Sequence, residues 1–223
     1  YAQLFNNRHV AEALANTLVI GFISTAVSTI LGTTAALALH KYRYKWQRLL
    51  NGLIYLPILI PEIVMGLSLL VLFSQIHLSL GRTSIILAHI TFCLSFVVIT
   101  VGARLDGLKQ EYEEAAGDLY ARPWQCFRYI TLPLIMPGIT AGALIAFTLS
   151  IDDFIISFFA AGPNSTTLPL YIYAMVKRGI SPEINALSTL MIAAEIALVL
   201  LADFFQIRQA GTGRKKELPD DRQ

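Results

Sequence analysis

Long apolar runs alternate with shorter polar stretches along this chain of 223 residues. A helix needs about 20 apolar residues to cross the hydrocarbon core of a bilayer. Five runs are long enough, at 16–39, 49–73, 84–103, 134–160 and 186–207. Helices are the expected form, because lipid offers no hydrogen-bond partner to a free backbone N–H or C=O group. The pattern therefore predicts an all-α, polytopic transmembrane helix bundle over residues 1–207.

The cationic residues indicate how the bundle is oriented. Most of the 17 Lys and Arg residues follow the first, third and fifth apolar runs. Since Lys and Arg are enriched in cytoplasmic loops, residues 104–133, here called the polar segment, and the tail at 208–223 are predicted to be cytoplasmic. The tail is charged and lacks apolar periodicity, which is typical of disorder.

The sequence does not contain the motifs of an enzyme that acts by itself. It has no Gly-x-x-x-x-Gly-Lys-Ser/Thr phosphate loop and no His-Glu-x-x-His or Cys-x-x-Cys metal pattern. Cys93 and Cys126 lie in a span and in the polar segment, and we expect both to be unreactive packing residues. The basic, aromatic stretch at 40–48 is typical of a membrane-interface anchor rather than of a nucleic-acid site. A non-catalytic membrane protein without a bound metal or cofactor is expected.

Two adjacent acids are the most costly feature of the fourth span. A charged group at the centre of a membrane helix costs about 2.5–3.5 kcal/mol on insertion scales, and Asp152 and Asp153 have no Lys or Arg nearby in sequence. Neighbouring side chains point about 100° apart on a helix. Two interpretations stay open: one acid lines an aqueous route for a cation, or one caps a broken helix and pairs within the bundle.

Other polar residues in the spans also have two interpretations. Glu62 follows Pro57 and Pro61, which predict a break or kink in the second span. Its carboxylate either lines the translocation pathway or is an acid favoured at a helix N-terminus by the helix dipole. His89 is predicted to be a hydrogen-bonded packing residue rather than a ligand. Glu195 in the last span has no explanation from the sequence, since a polar partner and a protonated form both fit it.

The polar segment has the pattern of surface helices. Between 106 and 119, apolar residues recur at three- and four-residue spacings among acidic ones, which predicts an amphipathic helix too short to span. Pro123 suits the first position of a second short helix, predicted at 124–130. From the spacing alone, this pair of helices could lie along the membrane surface.

The residues of this segment resemble a known motif. Glu114-Ala115-Ala116, Ile130 and Leu132-Pro133 stand at the spacing of the cytoplasmic "EAA" loop of ABC importer permeases. Where that loop has Gly, this chain has Tyr120, and a left-handed turn there would cost of the order of 1 kcal/mol or force another geometry. Further stretches resemble the second permease subunit of spermidine/putrescine importers, at 60–65, 88–93, 147–153, 162–163 and 181–187.

This resemblance implies a fold and a set of partners. Permeases of the MetI-like type have six spans, so five would be present here and one would precede Tyr1. The implied partners are a second homologous permease, an extracytoplasmic solute-binding protein and ATP-binding cassette subunits that carry ATP–Mg, in a bacterial cytoplasmic membrane. The residues expected to couple to those ATPases are Glu114, Ala115, Ala116, Asp118, Leu119, Tyr120, Ile130, Leu132 and Pro133.

The expected function is ATP-driven, binding-protein-dependent import of polyamines, with Glu62, Asp152 and Asp153 as candidate pathway residues. Two alternatives stay open. The same machinery would serve another small solute, although the paired acids favour a cation. An ion-coupled carrier or channel would use the acids as a relay, with the polar segment only a surface helix.

Overall fold

The computed structural model describes residues 7–42, 45–108, 111–179 and 182–214, with side chains in the last range from 184 to 200. Every regular element in these ranges is helical, as the sequence predicts. Residues 215–223 of the predicted tail lie outside the described residues. In chain order the helices are α1 (Arg8–Lys41), α2 (Gln47–Leu59), α3 (Glu62–Gln75), α4 (Arg82–Asp106), α5 (Glu111–Asp118), α6 (Pro123–Asp152), α7 (Ile155–Ala160), α8 (Leu168–Arg178) and α9 (Pro182–Arg214).

Helices α1, α4 and α6 form the centre of the bundle. Each is long and apolar enough to cross a membrane. Small residues allow close contact between them: a Cβ atom on Gly32 of α1 would come 2.7 Å from the Val97 side chain of α4, and one on Gly142 of α6 would come 3.3 Å from the Val97 Cα. In lipid, such packing holds helices together, because the hydrophobic effect does not distinguish a neighbouring helix from an acyl chain.

The second predicted span is broken, as its prolines predict. Helices α2 and α3 meet at an angle of 110°. Ile60 and Pro61 have extended backbone ψ angles of 132° and 134°, and Val64 and Met65 donate their backbone N–H groups to the Pro61 carbonyl to start α3. The predicted span at 49–73 is therefore divided into two helices at Ile60 and Pro61.

The fourth predicted span, at 134–160, is wrong at both ends. Helix α6 begins at Pro123 and continues through Pro133, so the separate short helix predicted at 124–130 is part of it. A π turn at Phe127–Thr131 makes this possible. Proline at 133 removes one backbone donor, and a wider turn accommodates the lost hydrogen bond. At the other end α6 stops at Asp152, before the short α7.

The C-terminal third contains helices that the apolar runs locate less well. Helix α8 lies between the fourth and fifth predicted spans and is not predicted by the sequence analysis. Helix α9 contains the fifth predicted span and extends into the predicted tail as far as Arg214. Within the described part of the chain, three helices are long and apolar enough to span, or four with α2 and α3 counted together, beside the apolar stretch Ile184–Leu200 of α9.

Candidate functional site

Asp153 occupies the break between α6 and α7. Its Oδ1 atom accepts a hydrogen bond from the Ile156 N–H (3.2 Å), and its Oδ2 atom accepts one from the Ser157 N–H (2.7 Å). These contacts satisfy backbone donors at the start of α7, which is the role of an N-cap carboxylate. Of the two sequence interpretations, capping of a broken helix is therefore the one that describes Asp153.

His89 of α4 connects the two sides of this break. Its Nδ1 atom lies 2.6 Å from the Ser150 Oγ, and its Nε2 atom lies 3.0 Å from the Ser157 Oγ and 3.2 Å from the Asp153 Oδ2. The imidazole is completely buried, and buried polar groups of this kind need such partners. His89 is thus a hydrogen-bonded packing residue, as predicted. We call His89, Ser150, Asp153 and Ser157 the His89 cluster.

The adjacent acid, Asp152, faces a different environment. Together with Glu195 of α9, it lines an open groove of about 360 Å³ between α6, α8 and α9. The aromatic rings of Phe154 and Tyr173 also line the groove, with their centroids 4.6 Å apart. Among the described residues that line it there is no Lys, Arg or His. Two acidic side chains therefore share an aromatic groove with no cation in its described lining.

Glu62 does not lie with these acids. It is the first residue of α3, it is exposed, and it does not line the groove that contains Asp152. A carboxylate in the first turn of a helix is favoured by the helix dipole, and the structure is consistent with that interpretation. The three candidate pathway acids thus occupy three separate environments.

Glu195 is the groove residue that the sequence analysis did not assign to a site. Its only signal was an acid within an apolar run, and its partner Asp152 is far away in sequence. No group of three or more His, Cys, Asp or Glu residues within the described ranges is arranged to hold a metal ion.

The polar segment folds into α5, a turn and the first part of α6. The predicted helix at 106–119 is shorter than expected, because Asp106 still belongs to α4 and α5 begins at Glu111. One hydrogen bond fixes α5 to α6: the Thr131 hydroxyl donates to the Glu113 Oε1 atom over 2.7 Å. Ala116 is the buried residue of α5. Leu119 is 82% exposed, so it does not belong to a buried apolar face.

The other predicted coupling residues divide into exposed and partly buried positions. Glu114, Ala115, Asp118, Tyr120 and Pro133 are exposed, and Ile130 and Leu132 are partly buried. Together with Leu119, these exposed residues of α5 and its turn form a surface that is not covered by the rest of the bundle.

Tyr120 adopts the left-handed conformation that the Gly of the family motif would supply. Its φ angle is +59°. The Tyr120 N–H donates to the Gly117 carbonyl and the Ala121 N–H to the Ala116 carbonyl, which is the Schellman pattern that ends many helices. The turn therefore keeps its shape without glycine, at the conformational cost expected from the sequence.

We expect Tyr120→Gly to stabilise α5 by about 1 kcal/mol, because glycine adopts a positive φ angle without steric cost. Amide hydrogen exchange of α5 measures this as an increase in protection of about fivefold. Ala121→Gly is the matched control, since Ala121 is not among the residues with positive φ. Equal protection in the two variants would contradict a strained Tyr120.

Comparison with known proteins gives consistent matches over most of the chain. Residues 14–209 match the family described as "Binding-protein-dependent transport system inner membrane component". The spermidine/putrescine transport system permease protein PotC of Haemophilus influenzae is 41% identical over 202 residues, which cover 91% of this chain and 79% of that protein. The putrescine transport system permease protein PotI of Escherichia coli is 40% identical, with 87% and 72% covered.

A solved structure shares the fold at much lower identity. In the crystal structure of a bacterial alginate ABC transporter in complex with an alginate pentasaccharide-bound periplasmic protein, one chain superposes with a TM-score of 0.72 at 21% identity. The match covers 93% of this chain and 81% of that one. This chain therefore shares its helical fold with a chain of that transporter.

Proposed function

The chain belongs to the family of binding-protein-dependent transport system inner membrane components, and from this premise we propose that it forms one wall of the translocation pathway of a polyamine importer. The observation that carries the proposal is the presence of Asp152 and Glu195 in the lining of one groove, together with Phe154 and Tyr173. The names of PotC and PotI, which assign spermidine and putrescine transport to those relatives, support the same solute class.

The chemistry of the groove suits an alkylammonium group. Carboxylates accept charge-assisted hydrogen bonds from ammonium groups, and aromatic faces attract cations. Tyr173 already has an ammonium group close to its ring: the Lys177 Nζ atom lies 4.9 Å from the ring centroid. A polyamine would place one ammonium near the Asp152–Glu195 pair while its methylene groups contact the aromatic rings. An anionic solute would be repelled by the two acids.

The proposed assembly contains partners for both faces of the membrane. A second permease completes the pathway, a solute-binding protein delivers polyamine from outside, and ATPase subunits with bound ATP–Mg contact the polar segment on the cytoplasmic side. The uneven distribution of Lys and Arg supports this orientation in a bacterial cytoplasmic membrane. The solute-bound periplasmic protein in the alginate transporter complex supports the outer partner.

Within this chain, movement would pass from α5 to the groove through α6. The Thr131–Glu113 hydrogen bond joins α5 to α6, and α6 ends at Asp152 beside the groove. Closure of the ATPases would shift α5 and α6 together, because packed helices move as units between discrete arrangements.

Uptake into vesicles that contain the complete complex tests the proposal. We expect labelled putrescine and spermidine to enter only with ATP and the binding protein, and to continue entering after collapse of the proton gradient. Competition by unlabelled diamines and triamines, but not by an anion or a neutral amino acid, would support the polyamine class. Uptake that needs only the proton gradient would instead indicate an ion-coupled carrier.

Glu114→Lys is expected to reduce ATP-driven uptake by about tenfold while leaving membrane insertion unchanged. Glu114 is exposed on α5, so a reversed charge would disturb a docked ATPase rather than the bundle. Uptake and ATP hydrolysis by purified complexes measure the effect. Glu12→Lys is the control, because Glu12 forms only an exposed ion pair with Arg8 on α1, a contact of small energy. Normal uptake in Glu114→Lys would exclude this docking surface.

A further inference from the structure

We propose that His89 is a positioning residue of the translocation pathway, which holds the α6–α7 break so that Asp152 faces the groove. This inference rests on the proposed function, because it gives Asp152 a role in binding the solute. His89 would not touch the solute, since its side chain is completely buried.

The α6–α7 break lacks the usual helix-breaking residues. Sharp helix breaks normally occur at proline or glycine, or where another side chain enters the hydrogen-bond ladder. Residues 143–161 contain neither proline nor glycine and are rich in apolar residues that would continue a membrane helix. Even so, α6 ends at Asp152, and Asp153 has an extended ψ angle of 120°. The Asp153 carboxylate stabilises the start of α7 through the Ile156 and Ser157 amides, and contacts from elsewhere in the bundle hold that carboxylate in place.

His89 supplies those contacts from α4. One ring nitrogen reaches Ser150, in the last turn of α6, and the other reaches Asp153 in the break and Ser157 in the first turn of α7. The side chains of His89 and Asp153 are 0% and 5% exposed, respectively. A buried carboxylate that lost this partner would keep only the two amide hydrogen bonds from α7, and loss of one partner of a buried polar group is unfavourable. The imidazole thus links both helix ends through one rigid ring.

The same contacts decide the directions of the two neighbouring acids. Asp153 is turned inward, where it binds His89 and the amides of α7. Asp152, one residue earlier, lines the groove with Glu195 and Phe154. Without His89, the apolar run around 150–157 is free to form continuous helix. Phe154 and the residues after it would then change position, and Asp152 would lose its present place in the groove.

A double-mutant cycle between His89 and Asp152 tests this role. The variants are His89→Ala, Asp152→Asn and their combination, reconstituted with the ATPases, the partner permease and the binding protein. The readout is labelled putrescine transported per ATP hydrolysed, at equal amounts of assembled complex. We expect His89→Ala to lower this ratio by about tenfold and to cause no further loss when Asp152 is already Asn, because contacting or coupled residues are non-additive.

Two further variants separate positioning from general packing. Cys93→Ala is the matched control, since Cys93 is buried on α4 and its hydrogen bond goes to Ala146 of α6 rather than to a residue of the break; it should leave the ratio unchanged. His89→Gln retains an amide donor toward Asp153 and should restore most of the transport. Should His89→Ala not assemble, Ser157→Ala, which removes one contact of the imidazole, replaces it in the cycle.

The outcomes distinguish this inference from the proposed function. Independent, multiplicative losses from the two substitutions, or full transport in an assembled His89→Ala complex, would overturn the positioning role and leave the groove intact. Normal polyamine transport by Asp152→Asn alone would overturn both the groove and the role of His89. A non-additive cycle with recovery in His89→Gln supports the inference.

Discussion

Gly162→Ala is expected to prevent stable assembly of the bundle. A Cβ atom on Gly162 would lie 2.0 Å from the Leu80 carbonyl oxygen and 2.4 Å from the Leu80 carbonyl carbon. Both are backbone atoms, so no side-chain rotation relieves the clash. The two backbone segments are also held together nearby, because the Ser84 hydroxyl donates a hydrogen bond to the Ala160 carbonyl over 2.8 Å. We expect a loss of about 3 kcal/mol or more in the free energy of unfolding.

The yield and melting temperature of the detergent-purified protein measure this effect. Gly102→Ala is the matched control, because no atom lies within 4 Å of the Cβ position at Gly102 of α4. That substitution should be neutral or stabilise the helix by about 0.5–1 kcal/mol. Equal melting temperatures for the two alanine variants would contradict the prediction. They would show that the backbone around Leu80, between α3 and α4, moves enough to accommodate a Cβ atom at residue 162.

Asp152→Asn is expected to lower transport, whereas Asp153→Ala is expected to lower stability. Asp152→Asn should assemble normally and lower polyamine transport by about tenfold, because it removes a charge from the groove but no cap. Asp153→Ala should lower the melting temperature, since it loses an N-cap worth about 1–2 kcal/mol and leaves His89 without its carboxylate partner.

Asp153→Asn separates capping from charge at this position. Asn is as good an N-cap as Asp, so it should recover part of the lost stability. Transport at limiting polyamine and thermal unfolding of the same preparations provide the two measurements. The division between Asp152 and Asp153 would be wrong if both variants at 153 melted normally and Asp152→Asn transported normally.

Local pattern was sufficient to predict the parts of the fold that depend on local physics. Lipid imposes helices on any long apolar run, so α1 and α4 follow directly from the first and third runs. Prolines remove backbone donors, so the break between α2 and α3 was visible at Pro57 and Pro61. At Tyr120 the family motif left two outcomes open, a left-handed turn at a cost or another geometry, and the structure has the left-handed turn, closed by two hydrogen bonds.

The parts that the sequence did not reveal depend on contacts between distant residues. Pro133 looked like a boundary, but a π turn carries α6 through it. Asp152 and Asp153 were indistinguishable within an apolar run, because their separation depends on His89 of another helix. Glu195 became interpretable only when the structure placed it in the same groove as Asp152. Each of these features is determined by tertiary packing, which a one-dimensional pattern does not contain.

The continuity of α6 has a mechanical consequence. With 30 residues, it is a rod of about 45 Å at 1.5 Å per residue. Tilting such a rod by about 10° around one end moves the other end by roughly 8 Å, a distance comparable to the separation of packed helices. The molecule therefore has a lever arm with α5 at one tip and the acids at the other. Under the proposed function, a small displacement of α5 by the nucleotide-hydrolysing subunits would be amplified enough to open or close a passage for a slender molecule.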